Sequence, residues 1–161
     1  MRKIYWVGLL AFVLSACVNK EYSRQQSAFI LFKTPTVRHA DLGFIYDNDK
    51  EMKIELYSSG QAVLSLEISE THVCMSLLEC MSKKSFNEEV LSGYYPEAIL
   101  ENIFRGAVIF DGKNLSKNRN GFTQSIQKKG KYAIEYRVFN KEIIFRDTIN
   151  AIRIKIKKQQ S

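Results

Sequence analysis

The chain has 161 residues, with 24 Lys or Arg against 17 Asp or Glu, so its formal net charge is +7. This length suits one domain, because domains typically contain ~100–200 residues. The 45% content of apolar residues and the two prolines exclude a disordered or collagen-like chain, and three cysteines are too few for a disulfide-built miniprotein. The positive charge permits association with nucleic acid or anionic lipid but does not define a fold.

The N-terminus has the layout of an export signal. Two cations precede an apolar run at residues 4–14, which is about half the ~20 residues that a membrane-spanning helix needs. The next segment, Leu14-Ser15-Ala16-Cys17, resembles the lipobox of bacterial lipoproteins. That resemblance implies cleavage between Ala16 and Cys17, a diacylglycerol group on the Cys17 thiol and acylation of the new amino group. The alternative is an ordinary signal peptide with an incidental cysteine.

A lipid anchor at Cys17 would hold the protein on a membrane, because two or three acyl chains bind far more strongly than one. Valine follows Cys17. In the sorting rule of such lipoproteins an aspartate there signals retention in the inner membrane, so its absence favours the outer membrane. We therefore predict a signal peptide at residues 1–16, an anchor and polar tether at residues 17–26, and one domain at residues 27–161.

Alternating apolar and polar residues predict strands in the first half of this domain. Their apolar positions lie within residues 28–32, 42–46, 52–56, 64–68 and 73–77. Turn-forming residues separate most of these segments at the roughly 8–12-residue spacing of an antiparallel meander.

The pattern then changes to that of two short helices. Ser85-Phe86-Asn87-Glu88 fits a capping box that begins the first helix, and Gly93 would end it. Pro96 would begin the second helix, and Gly106 would end it.

Strand patterning returns in the last third of the chain. We expect strands at residues 107–110, 132–138 and 152–156, with a polar loop at residues 111–121. The predicted fold class is α+β, mainly antiparallel β.

No arrangement of residues predicts an enzyme or a cofactor. His39 and His72 lack the spacing of metal ligands, so we predict no metal site. A phosphate-binding glycine loop and a nucleophile elbow are also missing from the sequence. Lys128, Lys129 and Lys131 could contact nucleic acid, but we interpret them as a solvated turn and predict no nucleic-acid partner.

Two of the three cysteines are close in sequence. Cys74 and Cys80 are six residues apart, and their flanks could form the facing strands of a hairpin. That arrangement allows a cross-strand disulfide in an oxidising compartment. The alternative is two buried, reduced thiols.

The strands carry more large apolar residues than two short helices can cover. A curved sheet beneath a small helical lid can enclose a ligand cavity, whereas the same residues could also form a filled core. The candidate lining residues of an acyl-chain cavity are Phe44, Met52, Leu56, Leu64, Leu66, Ile103 and Phe104.

The order of tether, strands, helices and strands resembles the LolB family of outer-membrane lipoprotein receptors and, more broadly, the LolA/LolB fold. Residues 96–106, PEAILENIFRG, are similar to that family's Pro-x-x-x-Leu-x-x-Trp-Leu-x-Gly helix, with Ile103 in place of the tryptophan. The loop at residues 57–60 lacks the leucine that LolB projects toward the membrane. The other similar stretches are residues 40–46, 52–60, 121–136 and 152–156.

This resemblance implies a curved, open half-barrel sheet covered by a short helical insert. It also implies a non-enzymatic, monomeric protein on the outer membrane, facing the periplasm. Such a protein accepts acylated lipoprotein cargo from a periplasmic LolA-like carrier and releases it into outer-membrane lipid. The alternative function is that of a structural or surface-exposed envelope lipoprotein with no ligand cavity.

Overall fold

The structure, a computed structural model, describes residues 21–76 and 79–159. Its first half contains β1 (Arg24–Lys33), β2 (Arg38–Asp47), β3 (Met52–Ser58), β4 (Gln61–Ile68), β5 (His72–Met75) and β6 (Glu79–Ser82). Two helices follow, α1 (Lys83–Val90) and α2 (Ile99–Arg105). The remaining strands are β7 (Leu115–Asn118), β8 (Gly121–Lys128), β9 (Tyr132–Phe139), β10 (Glu142–Asp147) and β11 (Ile152–Lys158).

All eleven strands belong to one antiparallel sheet in the order β6-β5-β4-β3-β2-β1-β11-β10-β9-β8-β7. Each half of the chain forms a meander of sequential neighbours, and the pairing of β1 with β11 joins the two meanders. The strands β6 and β7 are the two edges, so the sheet is open. The predicted class, mainly antiparallel α+β, is confirmed.

The sheet has one buried face because apolar side chains alternate along its strands. In β3 the side chains of Met52, Ile54 and Leu56 are buried, whereas the residues between them are partly exposed. The strand β11 repeats this pattern with three isoleucines. We call the buried side the inner face and the opposite side the outer face.

Both helices contribute to the same core as the inner face. Phe86 and Val90 of α1 are buried in one apolar cluster with the strands, as are Ile99 and Ile103 of α2. Neither helix of the described residues is long and apolar enough to cross a membrane.

The predicted ends of the first helix differ from those in the structure. The N-cap of α1 is Ser82, whose Oγ accepts a hydrogen bond from the Ser85 backbone N–H at 3.1 Å, so the predicted start at Ser85 is three residues too late. The helix α1 ends before Leu91 and does not reach Gly93. In contrast, α2 ends at Gly106 as predicted, because this residue takes the left-handed conformation at φ +72°.

Several strand predictions also need correction. Residues 107–110 do not form a strand, and β7 lies within the segment predicted as a polar loop at residues 111–121. The strand β10 was not predicted, and β6 was anticipated only as one possible strand of a hairpin around Cys74 and Cys80. At the other end of the domain, β1 begins at Arg24, inside the segment predicted as tether.

Candidate functional site

The structure brings six of the seven predicted lining residues together in the core. Leu56 on β3 pairs directly with Leu64 on β4, and Met52 and Leu66 lie on the same inner face. The helix α2 adds the remaining two. The six residues are Met52, Leu56, Leu64, Leu66, Ile103 and Phe104.

Phe44 lies on the outer face and does not belong with the other six. Its neighbours along β2, Gly43 and Ile45, take the inner face, and the Phe44 side chain therefore points the other way. On the outer face its ring centroid lies 6.1 Å from that of Tyr46 and 5.9 Å from that of Tyr57. The prediction that Phe44 lines an inner cavity is wrong because the glycine on the core side gives no apolar signal in the sequence.

The inner face is closely packed beneath α2. Leu56, Leu66 and Ile103 each have an exposed fraction of 0%. Side chains without accessible surface border no space that a water molecule could enter, so these three do not line an open cavity in this conformation.

The surface becomes accessible at the C-terminal end of α2. Ile45, Met52 and Phe104 form the apolar part of a pocket of about 380 Å³ there. Two of the predicted lining residues, Met52 and Phe104, therefore meet in one pocket. Its polar lining is Arg24, Gln25, Gln26, Asp47, Arg105 and Lys158.

Ion pairs hold α2 beside this pocket. Arg105 donates from Nη1 to Asp47 Oδ2 of β2 at 3.2 Å and from Nε to Glu101 Oε1 at 3.0 Å. Lys83 at the start of α1 donates from Nζ to Glu101 Oε2 at 2.9 Å. The chain Asp47–Arg105–Glu101–Lys83, which we call the α2 clamp, thus connects the sheet with both helices.

Burial and pairing act in opposite directions on the α2 clamp. Burial alone would raise the pKa of Glu101, but the hydrogen bonds from Lys83 and Arg105 lower that pKa below its ordinary value. Arg105 Nη2, in contrast, is buried without a hydrogen-bond partner among the described residues. A buried unsatisfied donor costs about 1–3 kcal/mol, so this atom reduces the stabilisation that the α2 clamp contributes.

The α2 clamp was not predicted from the sequence. Glu101 and Arg105 have the i,i+4 spacing at which opposite charges meet on a helix, so this pair was recognisable. The contact of Arg105 with Asp47 was not recognisable from the sequence, because the two residues are 58 positions apart.

Cys74 and Cys80 are joined by a disulfide. They occupy directly opposed positions on β5 and β6, and the Cα atoms are 3.9 Å apart. The bond therefore closes the hairpin at one edge of the sheet. Cys17 and the cleavage position after Ala16 lie outside the described residues.

In the described part of the chain, no group of three or more His, Cys, Asp and Glu side chains is arranged to hold a metal ion. His39 lies on β2 and His72 on β5, three strands away in the sheet order. Lys131 lies with Nζ 4.5 Å from the ring centroid of Tyr94, in a contact within the chain.

Neither a protein-family model nor a curated protein matches the chain.

Proposed function

We propose that this protein is an exported lipoprotein, anchored through Cys17 in the outer membrane, that binds acyl chains between α2 and the inner face of the sheet. It accepts acylated lipoproteins from a periplasmic LolA-like carrier and helps to insert them into the outer membrane. No enzymatic step or cofactor takes part. In this proposal the sheet is a curved half-barrel, α1 and α2 are the insert that covers it, and the domain is a monomer that faces the periplasm.

The observation that carries the proposal is the pocket at the end of α2. Its apolar side chains, Ile45, Met52 and Phe104, belong to the same apolar cluster as the inner face. An acyl chain that enters there would pass the polar side chains of the pocket and reach the core by displacing α2.

Displacement of α2 would open the ion pairs of Arg105 with Asp47 and Glu101, whose side chains are 20–21% exposed. The pair of Lys83 with Glu101 is more buried, with the Lys83 side chain 8% exposed. Water would replace the partners of these groups when the pairs separate, which offsets part of the lost attraction. The apolar underside of α2 would lose its contacts with the sheet, but an acyl chain gains ~0.8 kcal/mol for each methylene that it buries.

Transfer would need no energy source. A chain moves to the site that binds it better, so the direction depends on the relative affinities of the carrier, this protein and the membrane. The cost of displacing α2 would weaken binding here and favour release into the bilayer.

Binding of an apolar fluorescent probe with an acyl chain tests the proposal. The chain from residue 18 to residue 161 contains every described strand and helix but lacks Cys17. We expect this chain to bind the probe with saturation. Arg105→Gln should tighten binding by up to roughly fivefold, because weaker closure increases the fraction of molecules in the open state.

Arg119→Gln is the matched control, since Arg119 lies in the turn between β7 and β8 and takes no part in the α2 clamp. It should leave the dissociation constant of the probe unchanged. If a parent chain with a cooperative melting transition binds no probe, the acyl-binding proposal is wrong.

The close packing beneath α2 favours a second candidate, an envelope lipoprotein with a structural or surface-exposed role and no ligand cavity. In that case Leu66→Phe would overpack the core and lower the melting temperature, corresponding to ~1–3 kcal/mol. An acyl-binding protein should tolerate this substitution better, since α2 can move, and should bind the probe more weakly.

A further inference from the structure

The outer face of the sheet carries a row of like charges. Arg38, Lys33, Arg153 and Arg146 occupy directly opposed positions on four neighbouring strands, β2, β1, β11 and β10. Neighbouring strands are roughly 4.8 Å apart, so each cation lies close to the next. We call these four residues the basic row.

The basic row is unfavourable for the fold by itself. Like charges at directly opposed positions destabilise a sheet. All four residues are exposed, and within the described residues none of them forms an ion pair with a carboxylate. The nearest acid along the row is Glu135, which lies opposite Arg146 in the strand register, but its carboxylate accepts a hydrogen bond from the Ser125 hydroxyl. An external anion would remove the repulsion.

The chain provides space for such an anion. Lys33, Arg146 and Arg153 line a depression of about 450 Å³, together with Leu31 and the turn after β10. Asp147 also borders it, but Asp147 is buried and its carboxylate accepts hydrogen bonds from Tyr95, Ala133 and Asn150. The three exposed cations outnumber this one buried carboxylate, so an incoming group meets a net positive charge.

Apolar side chains accompany the cations on the same face. Phe29 is 37% exposed, Leu42 52% and Phe139 40%. They belong to one cross-strand row with Lys157 and Glu142. Phe29 and Phe139 line a groove of about 890 Å³ in this row. Between this row and the basic row, Lys155 and Arg137 flank Ile144.

We propose that this outer face docks on a membrane surface with anionic lipids, so that the basic row binds headgroup phosphates and the exposed phenylalanines enter the interface. Cations attract an anionic leaflet and aromatic rings favour the interface, and the face combines both. The inference depends on the proposed lipid anchor but not on acyl binding. Arg24 at the start of β1 is seven residues from Cys17, a reach of at most roughly 25 Å, which keeps the face near the membrane.

Vesicle flotation with residues 18–161 tests the inference, because this chain has no anchor to bind the bilayer. We expect binding to phosphatidylcholine vesicles that contain phosphatidylglycerol, weak binding to pure phosphatidylcholine vesicles, and loss of binding at high salt. Lys33→Gln with Arg153→Gln should weaken binding on the order of 20-fold, since each cation near an anionic surface contributes roughly fivefold. Phe139→Ala should also weaken binding.

Lys84→Gln with Lys129→Gln is the matched control. It makes the same change in net charge at exposed positions on α1 and in the turn between β8 and β9. An equal loss of binding in both double variants would mean that only net charge matters and would overturn the proposal. Equal binding to both vesicle types, or binding to double-stranded DNA but not to vesicles, would overturn it as well.

Two further measurements keep the outcome interpretable. The Lys33 and Arg153 substitutions remove like-charge repulsion, so the melting temperature should stay equal or rise. Binding of the apolar probe should not change in this variant. Loss of vesicle binding with intact probe binding would confirm the docking surface, whereas absence of probe binding in the parent chain concerns the proposed acyl site alone.

Discussion

Asp147 is the last residue of β10, and its carboxylate connects this strand to β9 and to the segment between the helices. Its Oδ1 accepts hydrogen bonds from the backbone N–H groups of Ala133 at 3.0 Å and Ile149 at 2.9 Å. Its Oδ2 accepts from Tyr95 Oη and from Asn150 Nδ2. Burial would raise the pKa of Asp147, but these hydrogen bonds lower it below the ordinary value. Burial and the bond to Asp147 also raise the pKa of Tyr95 well above its ordinary value, so Tyr95 remains a neutral donor.

We expect Asp147→Asn to lower the free energy of unfolding at neutral pH by about 1–3 kcal/mol, because an amide cannot accept the same set of hydrogen bonds. The folded-state pKa of Asp147 is lowered, so its contribution is fully present above the unfolded-state pKa and is lost as pH falls through the folded-state pKa. The variant should therefore lose less stability than the parent on acidification. Urea unfolding at several pH values measures both effects.

Asp49→Asn is the control for this substitution, since the side chain of Asp49 is 97% exposed. It should change neither the stability nor its dependence on pH appreciably. An Asp147→Asn variant with the same acid sensitivity as the parent would contradict the assignment.

The case of Phe44 shows which residue-level features the sequence does not reveal. Alternation of Leu42, Phe44 and Tyr46 was correctly interpreted as a strand but with the wrong face toward the core. The core-side position 43 requires glycine, because a Cβ there would lie 2.2 Å from the carbonyl oxygen of Glu55 on β3. That close approach belongs to the pairing of two strands and has no counterpart in local patterning.

At the scale of elements, most of the long regular strands were predictable, whereas β10 and the short edge strands were not. The strands β3, β9 and β11 have clear period-2 patterns and were predicted. The edge strands β6 and β7 have four residues each and are mostly exposed, so neither has an apolar face to detect. The ion pairs of α2 with Asp47 and Lys83 could not be predicted for a different reason, because these partners are 58 and 18 positions away in the sequence.

The disulfide stabilises one of these weak edges. β6 pairs only with β5, through four residue pairs that include Cys74 opposite Cys80. We expect residues 18–161 to show no free thiol in denaturant before reduction and two after it. The disulfide closes the short loop between Cys74 and Cys80, which stabilises the folded hairpin by ~2 kcal/mol. Reduction should therefore increase the rate of amide hydrogen exchange in β5 and β6.

The strand β10 is the internal reference for that experiment, since it lies in the other meander. Its exchange should be the same in the oxidised and reduced chains. Two titratable thiols in the unreduced protein would refute the disulfide.

At the scale of the whole molecule, the two faces of the sheet have different chemistry. The inner face and the helices bury a continuous apolar cluster, whereas the outer face around β1 and β11 concentrates cations and exposed aromatic rings. The β1–β11 pairing places the first strand after the proposed anchor at the centre of that outer face. The proposed anchor, the basic face and the proposed acyl site could thus act on one membrane.

The anchor itself is tested by Cys17→Ala. If Cys17 carries the lipid, the variant has no thiol to receive diacylglycerol, and the precursor should stay uncleaved at Ala16 and take no label from radioactive palmitate. The matched control is Cys74→Ser with Cys80→Ser, which removes both other cysteines and should still be labelled. Because permanent attachment needs two or more acyl chains, the palmitate label should stay with the membranes, and the proposed function expects it in the outer-membrane fraction. Unchanged labelling of the Cys17→Ala variant would show that the lipid is attached elsewhere, and the membrane-anchored function would then be wrong.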